Sequence, residues 1–315
     1  MVDETFDDLR REYLSDRYMA HLTNKELERR ARDVYINCID LNDEIKPIPT
    51  SLKEYGGYFW RQFVHIQEEH KQRFGSTELA FQTKDIRKLL KSYSDSPLYM
   101  KILNSRINYH DYAGKPFLYK YGNHSYLKKT LSRGKFRISP ATRYRDSSLN
   151  YEIRDKELEL ILNIPPSKYR IRVYDGKTNK SKGEMKINDN KMNIKSLTNY
   201  YVVCLSTKLS PRFFINYHYD SCLVIKNPAD FIKKLLTNVD ERLHGYLNLV
   251  GPVNYVDPLF TRVDEVKIFF TKHFRYTYQQ EFRLVWVPAR NINKLQKIDL
   301  EIENLASECE LIKLF

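Results

Sequence analysis

The feature that most constrains this chain is an alternating stretch near its C-terminus, HFRYTYQQEFRLVWVP, at residues 273–288. Large apolar side chains occupy every second position of its second half, at Phe282, Leu284 and Trp286. Because successive side chains of a strand point to opposite faces, this spacing predicts a buried strand with one apolar face. Glu281 stands at the start of that strand, where a carboxylate serves either as a catalytic charge or as an ion-pair partner.

The basic residues are concentrated in one part of the sequence. Residues 1–113 contain 18 Lys and Arg against 19 Asp and Glu, a net charge of −1, whereas residues 114–315 contain 35 against 21, a net charge of +14. The composition changes near DYAGKP (111–116), so we expect two domains that meet after residue 113. A basic excess of this size favours polyanions such as nucleic acid or a phosphorylated cofactor, although a merely solvated basic face gives the same count.

The first domain, residues 1–113, has apolar residues spaced three and four apart, which predicts helices. Thr23 or Asn24 is expected to cap one helix, and further helices are expected near 54–73 and 82–93. We therefore expect an all-helical extension without catalytic chemistry of its own. Oligomerisation, partner binding and a role as a lid are all open for it.

The second domain, residues 114–315, has strands interrupted by short helices, which is the pattern of an α+β fold. Besides the alternating stretch, the expected strands are 117–122, 135–139, 200–207, 221–225 and 253–260. The expected helices are 123–134, 149–161 and 228–237. Gly134 is a typical residue for ending the first of them.

Two basic stretches of this domain are candidate phosphate contacts. Arg145 and Arg154 lie in a segment rich in Arg and Asp, and a guanidinium group can bind phosphate through two parallel hydrogen bonds; a salt-bridged loop is the alternative. Residues 168–195 carry nine Lys and Arg against three Asp and Glu, and Asp175–Gly176 predicts a hairpin there. Unless this arm is a solvated loop, we expect it to contact nucleic acid through Lys177, Lys180, Lys182 and Lys186.

Several classes of protein lack their signals in this sequence. No apolar run approaches the roughly 20 residues of a membrane-spanning helix, and the acidic start MVDETFDDLRRE is unlike a signal peptide. The four cysteines are scattered without a CxxC pair, so we expect a reduced, cytoplasmic protein with no disulfide frame and no metal site. The GxGxxG, GxxxxGK[ST], HExxH and GxSxG motifs are also missing, which disfavours Rossmann, P-loop, zincin and hydrolase sites.

Three segments together carry a resemblance to known families. They are the run from FLYKYG to RDKELE (117–159), the strand YYVVCLS (200–206) and FFTKHFRYTYQQEFRLVW (269–286). Over about residues 115–290 the chain resembles an uncharacterised bacterial domain family that begins with a Leu-Tyr-Lys-Tyr strand and closes on a Tyr-x-x-Glu-x-Arg strand. In outline it also resembles the ADP-ribosyltransferase-like superfamily, which includes the DNA-modifying DarT toxins.

This resemblance implies that the part after the helical extension forms a split two-sheet domain, with NAD bound as a substrate in the cleft between the sheets. In such enzymes one glutamate performs the chemistry. Glu281 of the Gln-x-Glu pattern takes that place, and Gln279 would orient the nucleophile. A carboxylate there stabilises the positive charge that builds on the ribose as nicotinamide leaves.

The expected NAD contacts come from the first strand, from a middle strand and from the arginine-rich segment. They are Tyr119, Lys120, Tyr121, Ser206, Arg145 and Arg154. Lys120 stands where the family pattern has an arginine, and Ser206 belongs to a Ser-Thr pair that matches only part of the Ser-Thr-Ser motif of one branch.

The resemblance and the charge together predict an NAD-dependent ADP-ribosyltransferase that modifies a nucleic-acid or nucleotide acceptor, of the kind found among toxins and phage-defence effectors. In that setting the helical extension would bind an antitoxin or another protein partner. Two alternatives stay open from the sequence. One is a non-enzymatic nucleic-acid-binding protein, and the other is an NAD glycohydrolase that uses water as the acceptor.

Overall fold

The N-terminal part of the chain is mainly helical. The computed structural model describes residues 5–51, 56–77, 91–150, 152–163, 171–175, 178, 180–185 and 191–314. The first helices are α1 (Phe6–Ser15), α2 (Asn24–Cys38), α3 (Gly57–Phe74) and α4 (Tyr99–Asn104). The cap predicted at Thr23 is confirmed: its hydroxyl accepts the backbone N–H of Glu26, whose carboxylate bonds back to the Thr23 N–H.

The prediction of an all-helical segment over residues 1–113 is wrong at one place. Strand β1 (Ile39–Leu41) follows α2 directly and pairs antiparallel with β2 (Pro47–Pro49). The prolines explain the extended backbone, because a residue that precedes proline is driven away from the helical region. The helix expected near 82–93 falls mainly outside the described residues.

The centre of the fold is an antiparallel sheet, built within the described residues from eight strands. Six of them run in the order β11 (Tyr246–Pro252), β14 (Glu281–Pro288), β9 (Tyr201–Ser206), β3 (Leu118–Gly122), β10 (Ser221–Ile225) and β16 (Cys309–Lys313). The other two, β4 (Lys135–Pro140) and β15 (Ile298–Glu301), pair with each other. Helices and antiparallel sheets thus share the chain, and the α+β prediction is confirmed.

The sheet forks at β9. Ser206, at the end of β9, faces Tyr119 of β3, whereas Val202, near its beginning, faces Ser139 of β4. Both β3 and β4 use the same edge of β9, because β14 occupies the other edge. A gap must therefore open between β3 and β4.

One face of the sheet is covered by α5 (His124–Arg133) and α7 (Pro228–Asp240). Leu127 and Phe231 from these helices share a buried cluster with Trp286 of β14. Burial of such side chains contributes about 1.5–3 kcal/mol each, so this layer is a main source of stability.

Two local predictions in this region are confirmed. Leu284 and Trp286 lie in the buried cluster and Phe282 packs against it, as the alternation requires. Gly134 ends α5 with a φ of 64°, and a Cβ atom there would lie 2.0 Å from the carbonyl oxygen of Ile302. Only glycine fits both the left-handed backbone and that close approach.

The N-terminal helices pack against the part of the chain that follows residue 113. Phe59 of α3 shares a buried cluster with Phe274, and Ile102 of α4 shares another with Tyr121 of β3. Hydrophobic clusters therefore cross the boundary that the charge distribution suggests at residue 113.

The helix expected at 149–161 is wrong. Residues 152–158 form turns and irregular backbone, and β5 (Glu159–Asn163) pairs antiparallel with β8 (Lys191–Lys195). Leu160 and Leu162 of β5 are both buried. Their period-two burial against another strand outweighs the helix propensity of the surrounding Glu, Lys and Leu residues.

Two other expectations hold in part. Of the strand expected at 253–260, only β12 (Asn254–Val256) forms, and it pairs in parallel with β13 (Thr271–His273). The Asp257 carboxylate accepts the N–H of Leu259 at 3.0 Å, and this local turn ends the strand. The hairpin predicted within 168–195 forms from β6 (Ile171–Tyr174) and β7 (Ser181–Met185), with a longer connection than a two-residue turn.

A buried ion pair joins the N-terminal part to the rest of the fold. Arg30 of α2 donates two hydrogen bonds to Asp257, at 2.8 Å (Nη1 to Oδ1) and 2.6 Å (Nη2 to Oδ2). Both side chains are only 6% exposed. Burial alone would raise the pKa of Asp257, but the Arg30 charge outweighs burial and holds that pKa below its usual value.

Replacing Asp257 with alanine should lower the free energy of unfolding by about 3–5 kcal/mol, because Arg30 would stay buried without its counter-charge. Asp264→Ala is the matched control, since Asp264 pairs with Arg262 at an exposed site on the same connection. Asp264→Ala should lower the free energy of unfolding by no more than about 1 kcal/mol. Urea denaturation measures both variants, and equal losses would contradict the importance given to the buried pair.

Candidate active site

A tight turn places Gln279 and Glu281 on the same side of the chain. The segment Phe274–Gln279 is a 3₁₀ turn, Gln280 adopts a left-handed conformation with φ 42° and ψ 57°, and β14 begins at Glu281. The Nζ of Lys272 donates to Gln279 Oε1 at 3.1 Å and to Glu281 Oε2 at 3.2 Å. One ammonium group therefore holds both of the predicted catalytic side chains.

Gln279 and Glu281 line a cavity of about 130 Å³. The cavity lies at the fork of the sheet, where β3 and the end of β9 meet the turn before β14. Its wall includes every sequence-predicted residue of the first strand, the middle strand and the Gln-x-Glu turn: Tyr119, Lys120, Tyr121, Ser206, Gln279 and Glu281. Folding thus brings together residues from three segments that are far apart in the sequence.

Several of these side chains also hold the wall in place. Ser206 Oγ donates to the carbonyl oxygen of Gln279 at 2.9 Å, which fastens the turn to β9. The Tyr121 hydroxyl donates to a backbone carbonyl at 3.2 Å. The ammonium of Lys120 lies 5.2 Å from the centroid of the Phe136 ring on β4, so it reaches across the gap between the two diverging strands.

A cluster of buried charges lies behind Glu281. Arg283 Nη2 is 3.3 Å from Glu281 Oε2 and 2.8 Å from Glu157 Oε2. Lys272 Nζ is 3.6 Å from Asp155 Oδ2 and 3.8 Å from Glu157 Oε1, in addition to its contact with Glu281. Two cations therefore face three carboxylates, and all of these side chains are buried except Asp155, which is partly exposed.

The two glutamates of this cluster have opposite pKa shifts. Burial disfavours the charge of Glu281, but Arg283 and Lys272 outweigh burial and lower the pKa of Glu281 to about 2. Burial raises the pKa of Glu157, and the same two cations offset this only in part. For Lys272, burial lowers the pKa, but Glu281 and Glu157 raise it well above its usual value. Glu281 is therefore ionised at neutral pH, and Glu157 is the more easily protonated of the two glutamates.

Aromatic rings and a thiol complete the wall. Burial raises the pKa of Tyr144 and of Tyr217 well above the usual value, so both remain neutral phenols whose rings offer stacking surfaces. Burial likewise raises the pKa of the Cys204 thiol well above its usual value. A thiol that stays protonated is a poor nucleophile, so the chemistry of this cavity belongs to its carboxylates.

The predicted phosphate contacts lie elsewhere. Arg145 pairs with Glu159 at 2.7 Å, Arg154 is exposed, and neither is among the described residues that line the cavity. Among the lysines of the basic arm, Lys180 is exposed beside the hairpin and Lys182 lies on β7. The other two lysines, Lys177 and Lys186, are outside the described residues.

The sequence does not single out Glu157 or Lys272. Lys272 has one signal, since it is a lone lysine within the apolar stretch IFFTKHF. Glu157 has none, because it is one of several charged residues in RDKELE and only the fold shows which of them is buried.

A second, larger cavity of about 390 Å³ lies between α2, β5 and β13. It shares Glu157 and Lys272 with the smaller cavity. Helix α2 contributes Arg29 and Asp33 to its wall, and Arg275 stands opposite on the turn before Gln279. The charge cluster therefore separates two cavities and faces both.

Comparison with known proteins adds no relative. A scan against protein-family models finds no match, and searches of the curated proteins and of the solved structures find none either.

In the part of the chain that the structure describes, no group of three or more His, Cys, Asp and Glu is arranged to hold a metal ion. No helix in that part is long and apolar enough to cross a membrane. The functional argument therefore rests on the geometry of the cavity.

Stability should depend on pH through Glu281. Its pKa in the folded chain lies below the ordinary value of 4.5, at about 2, so its contribution is present above pH 4.5 and is lost as the pH falls toward 2. We expect Glu281→Gln to lower the free energy of unfolding by about 3 kcal/mol at pH 7. The difference from the natural chain should shrink steadily in urea denaturation at pH 4 and pH 3.

Glu301→Gln is the control for this measurement, because Glu301 is exposed on β15. A surface change of this kind should alter the free energy of unfolding by less than about 0.5 kcal/mol. If the deficit of Glu281→Gln stayed constant on acidification, Glu281 would not be the ionised member of the cluster.

Proposed function

We propose that this chain is an NAD-dependent ADP-ribosyltransferase-like enzyme whose catalytic carboxylate is Glu281. One observation carries the proposal: an ionised, nearly buried glutamate stands beside Gln279 in a tyrosine-lined cavity at a forked sheet. The first strand, the Ser-Thr strand and the Gln-x-Glu turn meet at this cavity, which supports the proposal.

Glu281 would act on the ribose. When the bond between ribose C1′ and the nicotinamide nitrogen breaks, its electron pair leaves with nicotinamide and positive charge develops on the ribose. A carboxylate that accepts a hydrogen bond from a ribose hydroxyl stabilises that charge, and the low dielectric of a buried site strengthens the effect. A nucleophilic oxygen or nitrogen of the acceptor then bonds to C1′, and its proton passes to solvent.

Two hydrogen bonds hold the side-chain amide of Gln279 in one orientation, which suits a positioning role. Its Oε1 accepts from Lys272 at 3.1 Å and its Nε2 donates to the carbonyl oxygen of Glu152 at 2.8 Å. A side chain held at both ends does not need to be ordered when the reactants bind, which favours precise orientation of a nucleophile.

The size of the cavity limits what it can hold. Its volume of about 130 Å³ lies below the ~300–1,000 Å³ of a usual small-molecule site. The cavity would take the nicotinamide ring, with Tyr144 and Tyr217 as stacking partners and the ribose at its mouth, and the adenosine half of NAD would lie outside it. Lys120, at the gap between β3 and β4, is the nearest of the predicted cationic contacts for the pyrophosphate.

The acceptor in this proposal is nucleic acid. The net charge of +14 over residues 114–315 favours a polyanion. A part in a toxin or phage-defence system follows from the resemblance alone.

Incubation of the protein with NAD and DNA, RNA or protein should give an acceptor whose mass increases by one ADP-ribose. Glu281→Gln removes the carboxylate charge with little change of shape, so nicotinamide release should fall at least about 100-fold, the usual effect of losing one electrostatic stabiliser. Glu301→Gln should keep the natural rate. Mass spectrometry of the acceptors and chromatography of nicotinamide measure the two outcomes.

Each alternative has its own result in this experiment. Nicotinamide release without any gain of acceptor mass would indicate an NAD glycohydrolase. Nucleic-acid binding without consumption of NAD by the natural chain would indicate a binding protein. Unchanged turnover in Glu281→Gln would show that Glu281 is not catalytic.

A further inference from the structure

The end of α2 holds the turn that precedes Glu281. Asn37 is fully buried, and its Oδ1 accepts the backbone N–H of Tyr278 at 3.0 Å. Its Nδ2 donates to the carbonyl oxygens of Arg275 at 3.1 Å and Phe274 at 3.3 Å. Both ends of this one amide group thus bind the backbone of the turn Phe274–Gln279.

A buried arginine joins the same two elements. Arg212, of α6 (Pro211–Tyr217), donates to the carbonyl oxygens of Ile39 at 2.7 Å and Ile36 at 2.9 Å. Those carbonyls lie at the C-terminal end of α2, where the helix carries partial negative charge and lacks internal partners. The guanidinium carbon also lies 3.7 Å from the centroid of the Tyr278 ring. Arg212 therefore clamps the end of α2 against the turn.

The opposite rim of the cavity is tied to the same segment. Asp40 pairs with Lys208 at 2.7 Å, and Lys208 follows closely after Ser206 at the end of β9. Residues 36–40 thus contact both the turn that carries Gln279 and the chain that leaves β9.

The turn needs such outside support. Gln280 is a non-glycine residue with φ of 42°, a left-handed conformation that disfavours any residue with a Cβ atom. Strained backbone persists where its surroundings determine it from several directions. Asn37 and Ser206 hold the turn from two sides. Asn37 binds the backbone of Phe274–Tyr278, and Ser206 binds the Gln279 carbonyl.

We infer that residues 36–40 of the N-terminal segment position the turn that presents Gln279 and Glu281, with Asn37 as the central positioning residue. The N-terminal helices thereby complete a site whose wall comes from the part of the chain after residue 113. The consequence for catalysis rests on the proposed function, whereas the positioning itself is a statement about the turn.

Asn37→Ala and Val34→Ala test this inference as a matched pair. Val34 is also fully buried and lies one turn earlier in α2; it packs in the cluster that includes Phe274 but is apolar and makes no side-chain hydrogen bond to the turn, so the pair separates lost packing from lost hydrogen bonds. Hydrogen exchange of the peptide 274–281, followed by mass spectrometry, reports on the turn without any substrate. Asn37→Ala should accelerate that exchange about 10-fold, because the Tyr278 N–H loses its acceptor. Val34→Ala should leave it unchanged after correction for stability.

The rate of nicotinamide release gives the second readout. In Asn37→Ala, kcat should fall about 10–100-fold with KM little changed, since a displaced catalytic group loses rate more than binding. Val34→Ala should keep the natural kcat. In the Glu281→Gln background, Asn37→Ala should cause a smaller further loss, because the part of its effect that passes through Glu281 is already gone.

Asn37→Ser is the second variant if Asn37→Ala does not fold, because a serine hydroxyl retains one buried hydrogen bond. It should give an intermediate acceleration of exchange. Unchanged exchange at 274–281 in either foldable variant, or an equal change in Val34→Ala, would overturn the inference. If the natural chain releases no nicotinamide, the proposed function fails, and the exchange experiment still decides whether Asn37 positions the turn.

Discussion

The site depends on the compensation of one fully buried guanidinium group. Arg283 lies on the face of β14 opposite Leu284 and Trp286, but that face is covered too, since Val285 on it belongs to another buried cluster, so the side chain cannot turn out to water. A buried charge without partners costs several kcal/mol. The Arg283 charge is paired with Glu281 and Glu157, and its guanidinium also donates to the carbonyl oxygen of Phe269. The register of β14 therefore fixes where the acidic side chains must lie, and with them the floor of the cavity.

Local patterns predicted the elements whose own residues carry the signal, whichever strands they pair with. The strand at 221–225 and the end of α5 at Gly134 follow from short apolar runs and from a left-handed position that only glycine fits. The helix expected at 149–161 failed for the opposite reason. Glu, Lys and Leu favour a helix there, but Leu160 and Leu162 are buried by pairing with β8, which lies about thirty residues later in the chain. A short stretch of sequence around residues 149–161 does not include that partner strand.

Part of the candidate site could be predicted from the order in which its residues occur along the chain. Glu281, Gln279 and Ser206 occur in the expected sequence, and the fold places them on one cavity. Glu157 was not predictable, because the sequence gives no reason to choose it among similar charged residues, and Lys272 has only the signal of a lone lysine within an apolar stretch. Their importance comes from burial, which converts ordinary charges into strongly interacting ones.

The pairing of Glu281 with two cations bears directly on catalysis. A carboxylate that is neutralised by Lys272 and Arg283 has less negative charge to offer a developing oxocarbenium ion. The two cations are shared with Glu157 and Asp155, however, so the five charges leave one carboxylate in excess when all are ionised. Burial raises the pKa of Glu157 while the cations lower that of Glu281. Of the two glutamates, Glu157 is therefore the more easily protonated, and Glu281 is the one that keeps its charge toward the cavity.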